Sequence, residues 1–308
     1  MAAIDCGTNS IRLLIADVAD GRLTDVVRRL EIVRLGQGVD RTGRLAPQAL
    51  ERARVALRAY AADIERSGAE RVRLVATSAT RDAANREDFA ADVQAILGVA
   101  AEVATGVEEA ALSFTGATRA LGGGFPAPYL VVDIGGGSTE FVLGERAVNS
   151  ARSVDIGCVR LTERHLTQDP PTPESVAAAT ADIEAAVAAV AEGVHVARAR
   201  TLIGLAGSVT TVAAIALELP VYDAARIQHA RIPVAAVREV TDRLLTMTHD
   251  QRTAIPVMHP GRVDVIAAGA LVLRTVMDRL GWAGVVASES DILDGIAWSL
   301  ASSAAVAE

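Results

Sequence analysis

Ile4-Asp5-Cys6-Gly7-Thr8-Asn9-Ser10-Ile11-Arg12-Leu13-Leu14-Ile15 lies near the start of the sequence. Val132-Asp133-Ile134-Gly135-Gly136-Gly137-Ser138-Thr139-Glu140-Phe141-Val142-Leu143 repeats it at a constant offset of 128 residues, from Asp5 to Asp133. Each copy reads as an apolar, β-branched strand, a Gly/Ser/Thr-rich turn and a second apolar strand. A third extended run is expected after each copy, at Leu30–Leu35 and at Val154–Leu161. Self-similarity of this kind marks a duplicated structural unit. Two units with one opening hairpin are expected to enclose a ligand cleft.

Working outward, Gly21 turns the chain into a third strand near 24–34. Leu50, Ala53, Leu57, Ala61 and Ile64 recur with helical period over Pro47–Ser67, and Gly68 ends that helix. Val72–Ala76 reads as a buried strand, Asp82–Leu97 as a helix, Ala101–Ala104 as a short strand and Val107–Leu121 as a helix. Gly122-Gly123-Gly124, with Pro126 and Pro128, is the expected linker. The same grammar then restarts: strands at 129–133 and 139–144, a helix at 173–193, a strand at 201–205 and a helix from Gly207-Ser208 to Leu217. A helix over Val265–Leu280, capped by Asp264, a strand at 284–288 and a helix at 291–301 complete the reading. The domains are expected at 1–123 and 124–288, with a terminal helix at about 289–308 packing back on the first.

Composition narrows the function. The 308 residues suit two domains. All 30 basic residues other than histidine are arginine, and the net charge is −8. With 3% aromatic residues, neither a nucleic-acid track nor a base-stacking surface is expected. No apolar run reaches the roughly 18 residues of a membrane helix, and no leader is seen at Met1, so the expected location is the cytoplasm, away from membranes. Cys6 and Cys158 have no ligand spacing and read as buried small hydrophobes. The five histidines show no metal-binding spacing and read as surface or core residues.

An anionic substrate must therefore be gripped locally. A Gly/Ser/Thr turn presents backbone N–H groups as a nest for phosphate oxygens. The Asp at the strand end, Asp5 or Asp133, is placed to hold hydrated magnesium, which takes only one or two carboxylates. One such hairpin alone would read as an ordinary turn with Asp satisfying local amides; two of them favour a phosphate site. In Thr105-Gly106-Val107-Glu108-Glu109-Ala110, acidic residues suit the dipole of a helix start, or one of them is a general base for water. Helical phase does not choose between Glu108 and Glu109. Thr77-Ser78-Ala79-Thr80-Arg81 ends a strand, where open α/β sheets bind ligands. Arg81 reads equally as a phosphate ligand or as a surface arginine. Gly204-Leu205-Ala206-Gly207-Ser208 opens a helix toward an anion but lacks the Gly-Lys-Ser/Thr of a Walker A loop.

Together these segments resemble the exopolyphosphatase / guanosine pentaphosphate phosphohydrolase family of the actin and sugar-kinase superfamily. The resemblance rests on D-x-G-T-N-S-x-R at 5–12, A-T-S-A-T-R-D-A-x-N at 76–85, T-G-x-E-E-A at 105–110, D-x-G-G-G-S-T-E at 133–140, G-x-A-G-S at 204–208 and Arg262-Val263-Asp264. It implies an α/β fold of two actin-like (ribonuclease H-like) domains with a cleft between them. It also implies that Glu109 is the water-activating base, with Arg81 gripping the substrate. Asp133, Glu140 and Asp5 would hold Mg2+ or Mn2+, and Asn9, Ser10, Arg12, Gly136, Gly137, Ser138, Gly207 and Ser208 would cradle phosphates. The implied substrate is inorganic polyphosphate, or guanosine pentaphosphate of the stringent response. The chain lacks the helical extension of longer members and differs from many at Cys6 and Ala206, so distributive release from short chains is expected. A homodimer is common for such cleft enzymes. The rivals are an actin-like sugar or acid kinase and a non-catalytic nucleotide-polyphosphate sensor of the same fold.

Overall fold

A computed structural model describes residues 1–121 and 123–304, without the side chains of 303 and 304. Gly122 of the expected linker and the last four residues of the expected terminal helix lie outside the described residues. The chain divides into two units: Met1–Gly116 with the segment from Ile292 onward, and Ala117–Asp291.

The first unit contains β1 (Ala2–Cys6), β2 (Ser10–Ala19), β3 (Arg22–Ile32), α1 (Val39–Thr42), α2 (Pro47–Ser67), β4 (Val72–Ala76), α3 (Ser78–Asp82), α4 (Arg86–Leu97), β5 (Ala101–Val103) and α5 (Gly106–Arg119). Its sheet runs β3-β2-β1-β4-β5, antiparallel across β1–β2–β3 and parallel across β1–β4–β5. All of β1 is buried, Asp5 included, as a central strand requires. On one face α2 buries Ala49, Leu50, Ala53, Ala56, Leu57 and Tyr60. The Tyr60 hydroxyl donates to the Ile11 carbonyl at 2.8 Å, giving a buried phenol its partner.

The second unit contains β6 (Tyr129–Ile134), β7 (Thr139–Gly144), β8 (Val148–Val154), α6 (Cys158–Arg164), α7 (Pro173–Gly193), β9 (Thr201–Leu205), α8 (Ala206–Ala216), α9 (Ala224–Ile227), β10 (Arg231–Pro233), α10 (Val234–Thr246), α11 (His249–Thr253), α12 (Ile266–Leu280) and β11 (Gly284–Ala287). Its sheet order is β10-β11-β9-β6-β7-β8. β6–β7–β8 repeats the antiparallel β1–β2–β3 pattern, and β9 lies parallel to β6 as β4 does to β1. α7 buries Ala179, Ile183, Val187 and Val190, and α12 is buried along nearly its whole length. The chain then ends with α13 (Ile292–Ala304), whose Ile292, Leu293, Ile296 and Ala297 pack with Ala3, Leu14, Ala16, Val75 and Ala104 of the first unit. Gly295 crosses α5 so closely that a Cβ there would overlap the Leu112 carbonyl.

Three expectations need correction. Val154–Leu161 is not the third strand of the second copy: that strand is Val148–Val154, and Cys158–Arg164 is helical. β8 is a partly exposed edge strand carrying Asn149, Ser150, Arg152 and Ser153, so it lacks an apolar signal, whereas buried Cys158, Val159 and Leu161 form one face of a short helix. The helix read from Asp82 begins only at Arg86. Asn85 hydrogen-bonds both the N–H (2.8 Å) and the carbonyl (3.2 Å) of Leu45, which takes the chain out of helix there. Asp264 does not cap α12, whose N-cap is Val265; it pairs with His249 at 3.3 Å instead.

Candidate active site

All the candidate residues lie at or next to the carboxyl ends of parallel strands, or on the hairpin partners of those strands. In the first unit the ends of β1, β4 and β5 are adjacent by register, Cys6 beside Ala76 and Ala76 beside Val103. They lead into Gly7–Ser10, Thr77–Arg81 and Thr105–Glu109. In the second unit β6 and β9 lead into Gly135–Ser138 and Ala206–Ser208.

Both glycine turns are built alike. Gly7 N–H donates to Ser10 O at 2.9 Å, and Gly135 N–H to Ser138 O at 3.1 Å. A segment beyond the third strand then draws the turn's carbonyls back. Val33 and Arg34 N–H donate to Asn9 O at 3.1 and 2.9 Å, and Gly36 N–H to Thr8 O at 2.8 Å. In the other copy Cys158 N–H donates to Gly135 O at 3.0 Å, while Val159 and Arg160 N–H donate to Gly136 O at 2.9 and 3.1 Å. Arg160 Nε adds a bond to Gly137 O at 2.7 Å. With its carbonyls occupied from behind, a turn of this kind offers its N–H side to an anion. Gly36 and Gly157 permit the approach: a Cβ at 36 would overlap the Thr8 side chain, and one at 157 the Gly136 carbonyl. Sequence reasoning passed over both glycines and Arg160, although each glycine lies a few residues past the third strand of its copy.

The duplicated hairpin carries different charges in its two copies. Asp5 stands opposite Arg12 across β1–β2, and Asp133 stands opposite Glu140 across β6–β7. Arg12 Nε and Nη2 both reach Asp5 Oδ2, at 2.9 and 2.6 Å. The structure thus gives the carboxylate of Asp5 to the guanidinium of Arg12. Asp133 and Glu140 are 6% and 1% exposed, and Glu140 Oε1 accepts from Ser153 Oγ at 2.7 Å. Like charges directly opposite in a sheet are destabilising, so this buried pair fits a cation where the first copy has its arginine. Among the described residues no three His, Cys, Asp or Glu cluster as a complete metal cage. A pair of carboxylates suits magnesium, which keeps water and takes further oxygens from a phosphate.

The structure separates the two adjacent glutamates. Glu108 Oε2 accepts from Thr105 N–H at 2.8 Å and Thr105 Oγ1 at 2.9 Å, while Thr105 Oγ1 accepts from Glu108 N–H at 3.2 Å. This is a reciprocal helix cap, and its backbone and hydroxyl donors hold the Glu108 carboxyl below its ordinary pKa. Glu109 is buried, at 8% exposure, and accepts from Arg81 Nη1 at 3.0 Å. The same Nη1 donates to Ala104 O at 3.1 Å, which fixes the guanidinium against the end of β5.

At the start of α8, Ala206 adopts left-handed φ 65°, and a Cβ at Gly207 would overlap the Arg262 guanidinium. Ser208 is buried, hydrogen-bonds Cys158 and packs on Gly269. Cys6 and Cys158 are both buried, and burial pushes both thiols up in pKa. No described helix is long and apolar enough to cross a membrane.

Two sheets sharing one hairpin-plus-parallel-strand order, each with a glycine turn at its strand ends, define an actin-like α/β protein. The sequence model of the Ppx/GppA phosphatase family matches residues 14–304, and the chain belongs to that family. It is 53% identical to exopolyphosphatase 2 of Mycobacterium tuberculosis, with 98% of each chain covered. Among solved structures, an exopolyphosphatase-like protein superposes with a TM-score of 0.92 at 46% identity, covering 96% of each chain. The Aquifex aeolicus Ppx/GppA family member superposes with a TM-score of 0.81 at 30% identity, over 98% of this chain and 97% of that one.

Proposed function

We propose that the protein is an exopolyphosphatase-type hydrolase that releases terminal orthophosphate from inorganic polyphosphate. The observation that carries the reading is the buried Glu109 carboxylate held by Arg81 at strand ends shared with the Asn9-Ser10 turn. The similarity to an exopolyphosphatase supports it.

In this reading the amides of the two glycine turns, together with Ser10 and Ser138, hold phosphate oxygens, and Gly207 and Ser208 add a helix-start contact. Glu109 accepts a proton from water, whose oxygen attacks the terminal phosphorus. The bond from phosphorus to the bridging oxygen breaks, leaving orthophosphate and a chain one unit shorter. Arg81 orients Glu109 and faces developing charge on the transferring group; such reactions depend on positioning and charge neutralisation. Asp133 and Glu140 would hold Mg2+ or Mn2+. When bound, the ion would neutralise phosphate charge. Short chains are favoured, because a protein of net charge −8 repels the distant part of a long polyanion.

Phosphate release should be measured with tripolyphosphate, long polyphosphate and guanosine pentaphosphate, with magnesium and with EDTA. Partial digestion of end-labelled long polyphosphate should shorten the whole population together. Release from the nucleotide alone would replace polyphosphate as the substrate, and no release from any of the three would refute the hydrolase reading.

A further inference from the structure

α6 begins against the second glycine turn. Its first three N–H groups have no partner within the helix, as at any helix start. The turn supplies the partners: Cys158 N–H donates to Gly135 O at 3.0 Å, and Val159 and Arg160 N–H donate to Gly136 O at 2.9 and 3.1 Å. Among the described residues no backbone N–H reaches Gly137 O; its donor is the Arg160 side chain, through Nε at 2.7 Å. That side chain is 11% exposed, and its carboxylate neighbour Asp155 lies 3.9 Å away at the surface. Burying a charge loses hydration, so a guanidinium is a costly way to cover a short helix.

In a planar trans peptide the C=O and the N–H point in opposite directions. Holding the carbonyls of Gly135, Gly136 and Gly137 against α6 therefore turns the N–H groups of Gly136, Gly137 and Ser138 the other way. None of these three N–H groups has a partner among the described residues. Gly137 and Ser138 are buried. A buried N–H without a partner is rare, and an anion would satisfy these. Glycine at 136 and 137 lets the peptide planes rotate, so their direction depends on what holds the carbonyls.

We propose that Arg160 is a positioning residue, whose grip on Gly137 O aims the Ser138 N–H at a phosphate oxygen of the substrate. The positive charge on that carbonyl also polarises the Gly137–Ser138 peptide and strengthens its N–H as a donor. The inference rests on the polyphosphate reading.

The test compares wild type, Arg160→Met and Arg160→Lys, with each fold checked by thermal melting. Methionine covers the helix without the donor or the charge. With tripolyphosphate, Arg160→Met is expected to raise KM about tenfold, the loss of roughly one hydrogen bond to a charged group, with kcat within about twofold. Lysine restores one charged donor, so Arg160→Lys should keep KM within about threefold of wild type. A purely structural clasp would lower the melting temperature and leave KM alone. An Arg160→Met enzyme with wild-type KM would therefore overturn the assignment. Amide-resolved NMR gives a readout without turnover: tripolyphosphate should move the Ser138 N–H downfield in wild type and much less in Arg160→Met. If Arg160→Met does not fold, the wild-type resonance decides: a downfield shift supports the proposal and its absence overturns it. If wild type releases no phosphate, the functional reading fails separately. Arg160 is then judged by calorimetric binding of tripolyphosphate: about tenfold weaker binding in Arg160→Met supports it, and equal affinity or no wild-type binding overturns it.

Discussion

Arg81 Nη1 donates to Glu109 Oε2 at 3.0 Å, while Glu108, one residue earlier, is turned back to cap its own helix at Thr105. Two chemically identical neighbours thus have separable effects. Glu109→Gln should cut kcat by roughly 10²–10⁴-fold, the usual cost of losing a general base, with little change in melting temperature. Glu108→Gln should leave kcat within a fewfold and lower the melting temperature slightly through the weakened cap. Steady-state phosphate release and thermal melts read both. The reverse pattern would move the base to Glu108.

The Asp133–Glu140 pair predicts an opposed response to metal. Adding magnesium should raise the wild-type melting temperature, since a ligand of the native state stabilises it. Glu140→Gln relieves the repulsion across β6–β7. Without metal this variant should melt at or above the wild-type temperature, and magnesium should no longer shift it. An unchanged magnesium shift in Glu140→Gln would remove the ion from this pair.

Ala206 holds left-handed φ at the start of α8. Ala206→Gly should stabilise by about 0.5–1 kcal/mol, the relief of a Cβ in that region less the entropy glycine adds to the unfolded chain. Melting or urea titration should show the gain; a loss would mean that the neighbours of Ala206 prefer its methyl group to the relief.

Acid should act through Asp169. Burial raises its pKa, but the His249 N–H and the Arg252 guanidinium, at 2.7 Å each, outweigh this and hold the carboxyl below its ordinary value. A carboxyl depressed in the folded state contributes stability above its unfolded pKa of about 3.9, and that contribution is lost as pH falls through the lower folded value. Wild type should therefore lose more stability than Asp169→Asn on going from pH 5 to below about 3.5. Parallel denaturation curves for the two proteins over that window would refute the linkage.

A thiol reagent should find neither Cys6 nor Cys158 in the native protein and both in denaturant, since burial raises both thiols and excludes the reagent. Rapid native labelling of Cys158 would show that the start of α8, at Ser208, moves away in solution.

What the sequence disclosed followed from periodicity and repetition. Two strands and a turn are local objects, so the hairpins, their 128-residue offset and the facing of Asp133 by Glu140 could be counted off directly. The roles of Glu108 and Glu109 could not, because both fit a helix start. The Thr105 cap on Glu108 and the placement of Arg81, from another strand end, against Glu109 distinguish them. β8 carries no apolar signal because it is a partly exposed edge strand, and α6 reads as strand because its buried face is only three residues long. Residues 218–261 carry no secondary-structure signal, and there the structure places β10, α10 and the buried Arg252. Arg252 is held by the Met247 and Val263 carbonyls and by Asp169, partners far apart in sequence. The locking of each turn from behind was equally invisible, since it joins residues about 25 positions apart through backbone atoms that carry no sequence signal.

The return of α13 onto the first unit bears on how the chain is made. Ala3, Leu14 and Val75 leave the ribosome early, but the side chains that cover them, Ile292, Leu293, Ile296 and Ala297, are translated long after. At bacterial elongation speeds of roughly 5–20 residues per second, that interval is about 10–60 s. The second unit, contiguous from Ala117 to Asp291, can finish folding inside it. The first-synthesised sheet meanwhile keeps one apolar face open, so a nascent chain stalled before Ile292 would be a substrate for chaperones, and the arrival of Ile292–Ala297 is the event that closes its oldest core.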